Sequence, residues 1–280
     1  MTAAAIDSGP GRGWSARLQL EYAQRRGRTV LARNRHSGPL VVQRPLYPEG
    51  GVCHTCILHP PGGVVAGDRL EIEVLAAEET ATLITTPGAT KFYRSDGKKA
   101  VQEQHIRVGN GAMVEWFPQE TILFPGADVE LRTRIDLAPE ALFMGWEILC
   151  LGLPVTDQPF NNGRLLTSLL IHRHNTPLLI DRLRVKTATD LDRCAGLRGF
   201  PVMATFVATA CTSEMLAPLR SLVPHEKKAI YGVTLMDELL VARYLGHSTF
   251  AAQRLFGQLW KGLRPQITGK TACPPRIWAT

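Results

Sequence analysis

Long hydrophobic runs are missing from this 280-residue chain, and cysteine is scarce. No stretch reaches about 18 apolar residues without a charge, which argues against a membrane-spanning helix. The N-terminus has no apolar segment of the kind that signal peptides carry. The six cysteines are too few for a disulfide-stapled scaffold of this length. We therefore expect a reduced, cytoplasmic protein.

Familiar catalytic and nucleotide-binding motifs are also missing. The sequence has neither an HExxH zinc motif nor a GxSxG nucleophile elbow. Gly62 to Gly67 has the glycine spacing of a phosphate-binding loop, but Asp68 stands where that loop requires lysine. A strand-like segment follows, instead of the helix whose N-terminus would bind phosphate. We expect a glycine-rich turn, with Asp68 accepting hydrogen bonds from nearby backbone amides.

Four potential metal ligands, Cys53, His54, Cys56 and His59, lie close together in the sequence. No second CxxC pair is present to complete a structural zinc site. If the segment is a strand, Cys53 and Cys56 point to opposite faces, and Cys53 lies about 20 Å from His59. A single tetrahedral centre is therefore disfavoured, although one or two of these residues stay candidates for contact with a transient ion.

A second pair of histidines, His172 and His174, is separated by one residue. On a strand the two side chains share a face about 7 Å apart. Asn175 follows directly, and we interpret the pair as the solvated end of a hairpin.

The formal net charge of +7 suits an acidic partner surface. The basic residues are scattered, however, and the densest group is Arg25, Arg26 and Arg28. That group lacks the interleaved aromatic residues of a single-strand nucleic-acid binder. We expect no nucleic-acid partner.

Alternation of apolar and polar residues dominates the middle of the chain and predicts half-buried strands. The clearest segments are 70–74, 101–108, 129–137 and 178–185. Short apolar runs begin at Ala81, Ala112 and Ala141, with starts 31 and 29 residues apart. A repeat of about 30 residues is typical of stacked sheets or a β-helix-like coil, and coincidence among frequent alanines is the alternative. Gly109 to Gly111 is interpreted as a hairpin turn.

Helices are predicted only towards the C-terminus. Ser248 is a suitable N-cap for a helix to about Leu263 with one apolar face, and Pro265 follows the predicted end. A shorter helix is predicted near Ser213 to Leu222. Since no linker rich in glycine or serine divides the chain, we predict a mainly β, β-helix-like single domain over residues 14–280, with residues 1–13 disordered.

Several long blocks closely resemble the UreD (also called UreH) family of urease accessory proteins, and they follow the family order from about residue 14 to 280. The blocks are PLYPEG from Pro45, HPPGGVVAGD from His59, TTPGATKFYR from Thr85, WFPQETILF from Trp116, GWEILCLG from Gly145, LLVARYLG from Leu239 and PPRIWAT from Pro274. Two positions depart from the pattern. Ala66 replaces a frequent glycine, and Cys56 stands where an apolar or small residue is more common. The second departure argues against a family metal role for the CxxC pair.

The resemblance implies a non-enzymatic chaperone with an unusual β-helical fold. Family members bind the helical protein UreF, which recruits the GTPase UreG, and the assembly helps load nickel into urease apoprotein. No tightly bound cofactor is implied, only transient nickel. Two alternatives stay open: a metal-dependent enzyme using His54, His59 or His172, and a binding scaffold unrelated to nickel.

Carboxylates within the family blocks are the candidate functional residues. Asp68, Glu120 and Glu147 lie in apolar or turn-forming surroundings, where an unpaired carboxylate is costly. Either each has a structural partner, or they line a hydrated passage for nickel, because oxygen ligands release nickel more readily than thiolates. Leu255 and Leu259, on the apolar stripe of the C-terminal helix, are candidates for partner binding.

Overall fold

The structure of the chain is a computed structural model, which describes residues 13–224 and 228–279. The predicted disorder of the first residues therefore falls almost wholly outside the described part, and the single-domain assignment stays a prediction. Strands predominate in the described residues, as the alternation predicted. The strands are β1 (Ser15–Arg25), β2 (Arg28–Ser37), β3 (Val41–Val42), β4 (Cys53–Leu58), β5 (Arg69–Ala76), β6 (Ala81–Thr85), β7 (Thr90–Phe92), β8 (Ala100–Val108), β9 (Met113–Phe117), β10 (Thr121–Leu123), β11 (Asp128–Leu137), β12 (Leu142–Leu153), β13 (Gln158–Pro159), β14 (Arg164–Arg173), β15 (Thr176–Val185), β16 (Val202–Ala208), β17 (Ile230–Met236) and β18 (Leu239–Gly246).

Helices are few in the described residues. They are α1 (Ala188–Asp192), α2 (Ser213–Ser221) and α3 (Thr249–Thr268), with short 3-10 turns at Pro154–Thr156 and Arg276–Ala279. The prediction of two C-terminal helices is confirmed.

The strands form two sheets. The smaller sheet has the order β15-β14-β11-β8-β5-β1-β2, and the main path of the larger sheet is β17-β18-β16-β12-β9-β6-β4-β3. From β4 to β14 the chain passes back and forth between the sheets, and successive strands within each sheet pair in parallel. This arrangement is a stack of coils resembling a β-solenoid, so the predicted fold class is confirmed. Antiparallel strands extend the stack at its two ends.

The sequence rhythm of about 30 residues corresponds to one coil of this stack. Strands β6, β9 and β12 lie side by side, and Met113 pairs with both Ala81 and Leu142. The three runs therefore lie in equivalent strands of successive coils, with the first run offset by one residue, and the alternative of coincidence is wrong.

The hairpin predicted at Gly109 to Gly111 is wrong. The segment joins β8 of the smaller sheet to β9 of the larger sheet, so it forms a corner of a coil. A side chain at Gly109 would meet the backbone nitrogen of Glu78 at 2.8 Å, because the corner of the preceding coil packs directly against it. Glycine is required there by the stacking of corners.

Polar residues of the smaller sheet pair with each other across its outer face. On β8, Glu103 forms ion pairs with Arg69 on β5 and with Arg132 on β11. Such pairs between neighbouring strands explain why the polar segment 101–108 is still a strand.

The chain packs in three layers with two apolar cores. One core fills the space between the sheets, and the other lies between the larger sheet and helices α2 and α3. Leu255 and Leu259 are buried in the second core, which means that the apolar stripe of α3 is covered by the chain's own sheet rather than open to a partner.

Helix α3 begins as predicted and ends later. The Ser248 hydroxyl accepts a hydrogen bond from the Ala251 amide at 3.2 Å, which confirms the N-cap. Pro265 lies inside the helix instead of after it. A proline removes one backbone hydrogen bond of a helix, but here the helix continues past it to Thr268. The helix stops at Gly269, whose φ of 68° is the left-handed conformation typical of a C-terminal cap.

Replacing Leu259 by aspartate should unfold the protein or nearly so, because an unpaired charge would enter the second core. We expect a loss of more than about 3 kcal/mol in the free energy of unfolding, measured by urea denaturation. Gln258→Asp, one residue earlier on the exposed side of α3, is the control and should change stability little. Equal stability of the two variants would mean that the buried face of α3 is assigned wrongly.

Candidate functional site

A row of polar side chains crosses the larger sheet in the space between the two sheets. Glu147 on β12 pairs in register with Thr205 on β16, which in turn pairs with Arg243 on β18. Side chains at directly opposed positions of neighbouring strands point to the same face. The three residues therefore form one line running towards the edge of the sheet.

A second row lies on the facing sheet. Gln104, Thr133, Leu169 and Asp181 occupy matching positions on β8, β11, β14 and β15. The Thr133 hydroxyl donates to Glu147 Oε1, and Arg243 Nη1 lies 2.7 Å from Asp181 Oδ2. The two rows thus contact each other at two places across the inter-sheet space.

Small cavities follow these rows through the interior. A cavity of about 60 Å³ lies beside Glu147, and a second cavity of about 20 Å³ shares Glu147 and Leu149 in its lining. We call the two cavities together the inter-sheet passage. Its polar lining consists of Thr86, Thr90, Gln102, Gln104, Gln119, Thr121, Arg132, Thr133, Glu147, Thr167, Asp181, Arg182 and Thr205. The larger cavity has room for about four waters and the smaller for about one.

Trp116 supports a hydrated interior. Its side chain lines the larger cavity, and its Nε1 is buried with no hydrogen-bond partner among the described residues. Buried donors are normally paired with protein or water, so the cavity beside it is suited to ordered water.

Glu147 is the chemically distinctive group of the inter-sheet passage. Burial raises the pKa of its carboxyl group to about 7, the hydrogen bond from Thr133 opposes that rise, and the charge of Asp181 adds to it. Near neutral pH the side chain therefore exchanges between a neutral acid and a carboxylate. The carboxylate form can bind a cation through oxygen and release it again.

The three carboxylates selected from the sequence do not meet in one place. Asp68 accepts hydrogen bonds from the Trp14 amide at 2.7 Å and from the Val65 amide at 2.9 Å. These bonds confirm the expected turn at the end of the glycine-rich segment. Asp68 is absent from the passage lining, and a nickel role for it stays a prediction.

Glu120 lies beside the passage rather than in its lining. Its backbone carbonyl accepts a hydrogen bond from the Thr90 amide at 3.0 Å, and its neighbours Gln119 and Thr121 line the larger cavity. With burial as the main cause, the charge of Glu120 helps raise the pKa of the Cys150 thiol to about 11. Its part in nickel transfer stays a prediction.

Neither histidine nor cysteine forms a metal centre in the part of the chain that the structure describes. No group of three or more His, Cys, Asp or Glu side chains is placed there to hold one ion. Cys53 and Cys56 lie on β4, where burial raises the pKa of both thiols and so disfavours the thiolate form. His54 pairs with Glu49 at 2.6 Å, and burial lowers the pKa of His59.

The other two histidines of the sequence analysis lie at the end of β14. His172 Nδ1 is 3.9 Å from Asp136 Oδ1, and His174 is in the turn that follows, with a φ of 46°. The predicted hairpin end is confirmed, since β14 and β15 pair antiparallel around this turn.

A buried charge cluster, formed by Glu49, His54, Glu115 and Arg264, was missed in the sequence. Arg264 Nε lies 2.9 Å from Glu115 Oε1, and both side chains are fully buried. Arg264 also lies 2.7 Å from Glu49 Oε2. The one available signal was the position of Arg264, four residues after Trp260 on the apolar face of α3.

Asp181, Thr205 and Arg243 were also missed. Arg243 lies within the LLVARYLG block, which resembles the UreD family, but nothing in the local sequence shows which strand faces it. Only the register of β15, β16 and β18 brings these side chains together.

Among the described residues, no helix has both the length and the apolar character that crossing a bilayer requires.

The fold and the site define a β-solenoid-like protein with a polar passage between its sheets and with helices α2 and α3 on one outer face. A family model described as UreD urease accessory protein matches residues 15–279. The urease accessory protein UreD of Alcanivorax borkumensis is 48% identical over 98% of this chain and 95% of its own length. The namesake proteins of Pseudomonas putida strain W619 and Aliivibrio fischeri are 45% and 39% identical, each over 96% of this chain and over 95% and 97% of their own lengths. The chain belongs to the UreD family of urease accessory proteins, which gives it a role in urease maturation.

The raised pKa of Glu147 predicts a pH dependence of stability. Between about pH 4.5 and 7 the folded chain binds more protons at this position than the unfolded chain, so rising pH lowers the free energy of unfolding. Glu147→Gln removes this effect. We therefore expect the stability of the wild type relative to that variant to fall from about pH 5 to pH 8 in urea denaturation. Glu140→Gln, at an exposed turn, is the control, and a pH-independent difference for Glu147→Gln would contradict the assignment.

Proposed function

We propose that this protein assists GTP-dependent nickel insertion into urease apoprotein in the cytoplasm. It acts as a scaffold with UreF and the GTPase UreG, and nickel moves through the inter-sheet passage on its way to urease. The protein itself binds no cofactor tightly and catalyses no reaction, since GTP hydrolysis belongs to UreG.

The observation that carries this proposal is the position of Glu147 where the two cavities adjoin. The smaller cavity has room for about one water, so a hydrated divalent ion loses part of its water shell there. Glu147 and the hydroxyl groups of Thr133, Thr167 and Thr205 are oxygen ligands that can replace the lost water. Such ligands hold nickel weakly enough for onward transfer.

The thiols fit this role less well. Cys53 and Cys56 lie outside the passage lining, and burial favours their neutral form. A thiolate site would also retain nickel, which opposes a hand-over.

Leu255 and Leu259 contribute to partner binding only indirectly, because both are buried in the second core. Both side chains fix α3 against the larger sheet. A partner that recognises α3 therefore contacts its outer face, and the leucines hold that face in position.

Glu147→Ala should lower urease activation by about tenfold or more, because the ion would lose the ligand that compensates for its desolvation. The measurement is urease activity and nickel content in cells that carry the complete set of accessory proteins. Co-purification of the variant with UreF, UreG and urease shows that the complex still assembles. The double variant Cys53→Ala with Cys56→Ala is the matched comparison and should keep most of the activation.

Three outcomes would contradict the proposal or restrict it. Full activation with Glu147→Ala would exclude the passage, and loss of activation in the folded, assembled cysteine variant would move the nickel site to β4. Co-purification with neither urease nor its accessory proteins would favour a scaffold unrelated to nickel. Asp68→Ala and Glu120→Ala extend the test, and if Asp68→Ala only destabilises the chain, its hydrogen bonds in the turn explain its presence.

A further inference from the structure

One end of the inter-sheet passage is spanned by an ion pair. Asp181 lies on β15, the edge strand of the smaller sheet, and Arg243 lies on β18, next to the edge strand of the larger sheet. Their side chains meet at 2.7 Å, and Arg243 Nη1 is also 3.4 Å from Thr205 Oγ1. The guanidinium group therefore bridges the gap between the sheets.

This ion pair lies where the smaller cavity adjoins a surface groove. Asp181 and Thr205 line the smaller cavity together with Glu147, and both also line a groove of about 400 Å³ outside it. Arg243 lines the groove, as do Ile230 and Tyr231 of the edge strand β17. Arg182, Leu183 and Met203 also belong to both linings, so a path from Glu147 to solvent in this direction passes these residues as well as Asp181 and Arg243.

While Arg243 is paired with Asp181, the charges at this end of the passage are unfavourable for a cation. With Arg243 in place, the Asp181 carboxylate is neutralised and a fixed positive charge stands at the mouth. When Arg243 swings away, Asp181 becomes a free carboxylate on the same small cavity as Glu147. Two carboxylates then face one site, an arrangement that attracts a divalent ion.

The exposure of the two side chains allows the ion pair between Arg243 and Asp181 to separate. The Arg243 side chain is 46% exposed and that of Asp181 is 25% exposed. The guanidinium of Arg243 is thus well solvated when the pair separates, while the Asp181 carboxylate is half-buried, and a partly exposed ion pair contributes only modestly to stability. Arg243 can therefore leave Asp181 without disturbing either sheet.

We propose that Asp181 is a second cation ligand of the passage and that Arg243 is a latch that masks it until the mouth is opened. This inference rests on the proposed function, because it assigns the exit of the same nickel path. It adds a residue, Arg243, whose removal should have an effect opposite to that of losing Glu147.

The test is Ni²⁺ binding to the full-length chain, measured by equilibrium dialysis with nickel chloride. Arg243→Gln should bind Ni²⁺ at least about fivefold more tightly than the wild type, since a like charge is removed and a carboxylate is freed. Arg243→Lys keeps the positive charge and should resemble the wild type. If Arg243→Gln does not fold, Arg243→Met replaces it, because methionine keeps part of the aliphatic stem.

A matched control is available on the outer face of the smaller sheet. Arg33 pairs with Glu21 at 3.1 Å, and the two side chains are 50% and 38% exposed, comparable with Arg243 and Asp181. Arg33→Gln removes the same charge away from the passage. It should leave the Ni²⁺ affinity unchanged.

The double variant Arg243→Gln with Asp181→Asn decides whether Asp181 is the ligand. Its affinity should return to the wild-type value or below. Wild-type affinity in Arg243→Gln, or a gain that persists in the double variant, would overturn the latch. If Glu147→Ala abolishes urease activation while Arg243→Gln binds Ni²⁺ like the wild type, the passage stands and the latch fails. If Glu147→Ala activates urease normally, both fail.

Discussion

The buried ion pair between Arg264 and Glu115 holds the layers of this protein together. Arginine stays protonated in a protein interior, so a fully buried guanidinium requires carboxylates around it. Glu115 on β9 and Glu49, just before β4, provide two of them, and the Thr271 carbonyl accepts a further hydrogen bond. Burial raises the pKa of Glu115 and Arg264 opposes that shift, so the ionised form of Glu115 depends on Arg264 staying in place.

This pair fixes α3 and the C-terminal tail against the larger sheet. Trp260, one turn before Arg264, donates its Nε1 hydrogen to Glu115. The tail then returns along the sheet, where Trp278 packs against Trp146 and Phe117 and donates to the Thr85 hydroxyl. The outer face of the larger sheet is thereby sealed by aromatic side chains, and its inner face is left to line the passage.

The two faces of one strand show this division most directly. On β12, Trp146 packs under the helices, and the next residue, Glu147, points into the inter-sheet space. Strand alternation thus places an apolar anchor and a titratable carboxylate side by side in sequence and on opposite sides of the sheet. The rigid helical layer supports the strand that presents Glu147, in keeping with a passage that must keep its shape while an ion moves through it.

Much of this architecture was predictable from the sequence, and the site was not. Alternation over 129–137 and the spacing of Ala81, Ala112 and Ala141 indicated stacked coils, because both patterns are local or strictly periodic. The corner at Gly109 was mistaken for a hairpin, since a turn does not reveal which sheet the next strand joins. Pro265 was predicted to follow the end of α3, because proline often does. In the structure the end of the helix is determined by the cap at Gly269.

Convergence of distant side chains was beyond local patterns. Glu147 was recognised as a carboxylate in an apolar block, but Asp68 and Glu120 satisfied the same criterion and do not line the passage. Asp181 and Arg243 became visible only through the register of β15 and β18, which depends on the whole stack. Glu115 and Arg264 are 149 residues apart in sequence, and only the three-layer packing shows that they meet.

The central claim is that nickel enters the space between the sheets at Glu147. It is tested most directly by an anomalous difference map, recorded at the nickel absorption edge from crystals of the full chain soaked in Ni²⁺. The account predicts a peak in the inter-sheet passage next to the Glu147 carboxylate, and no such peak in crystals of Glu147→Gln. Nickel bound only at surface histidines such as His174, with none between the sheets, would contradict it.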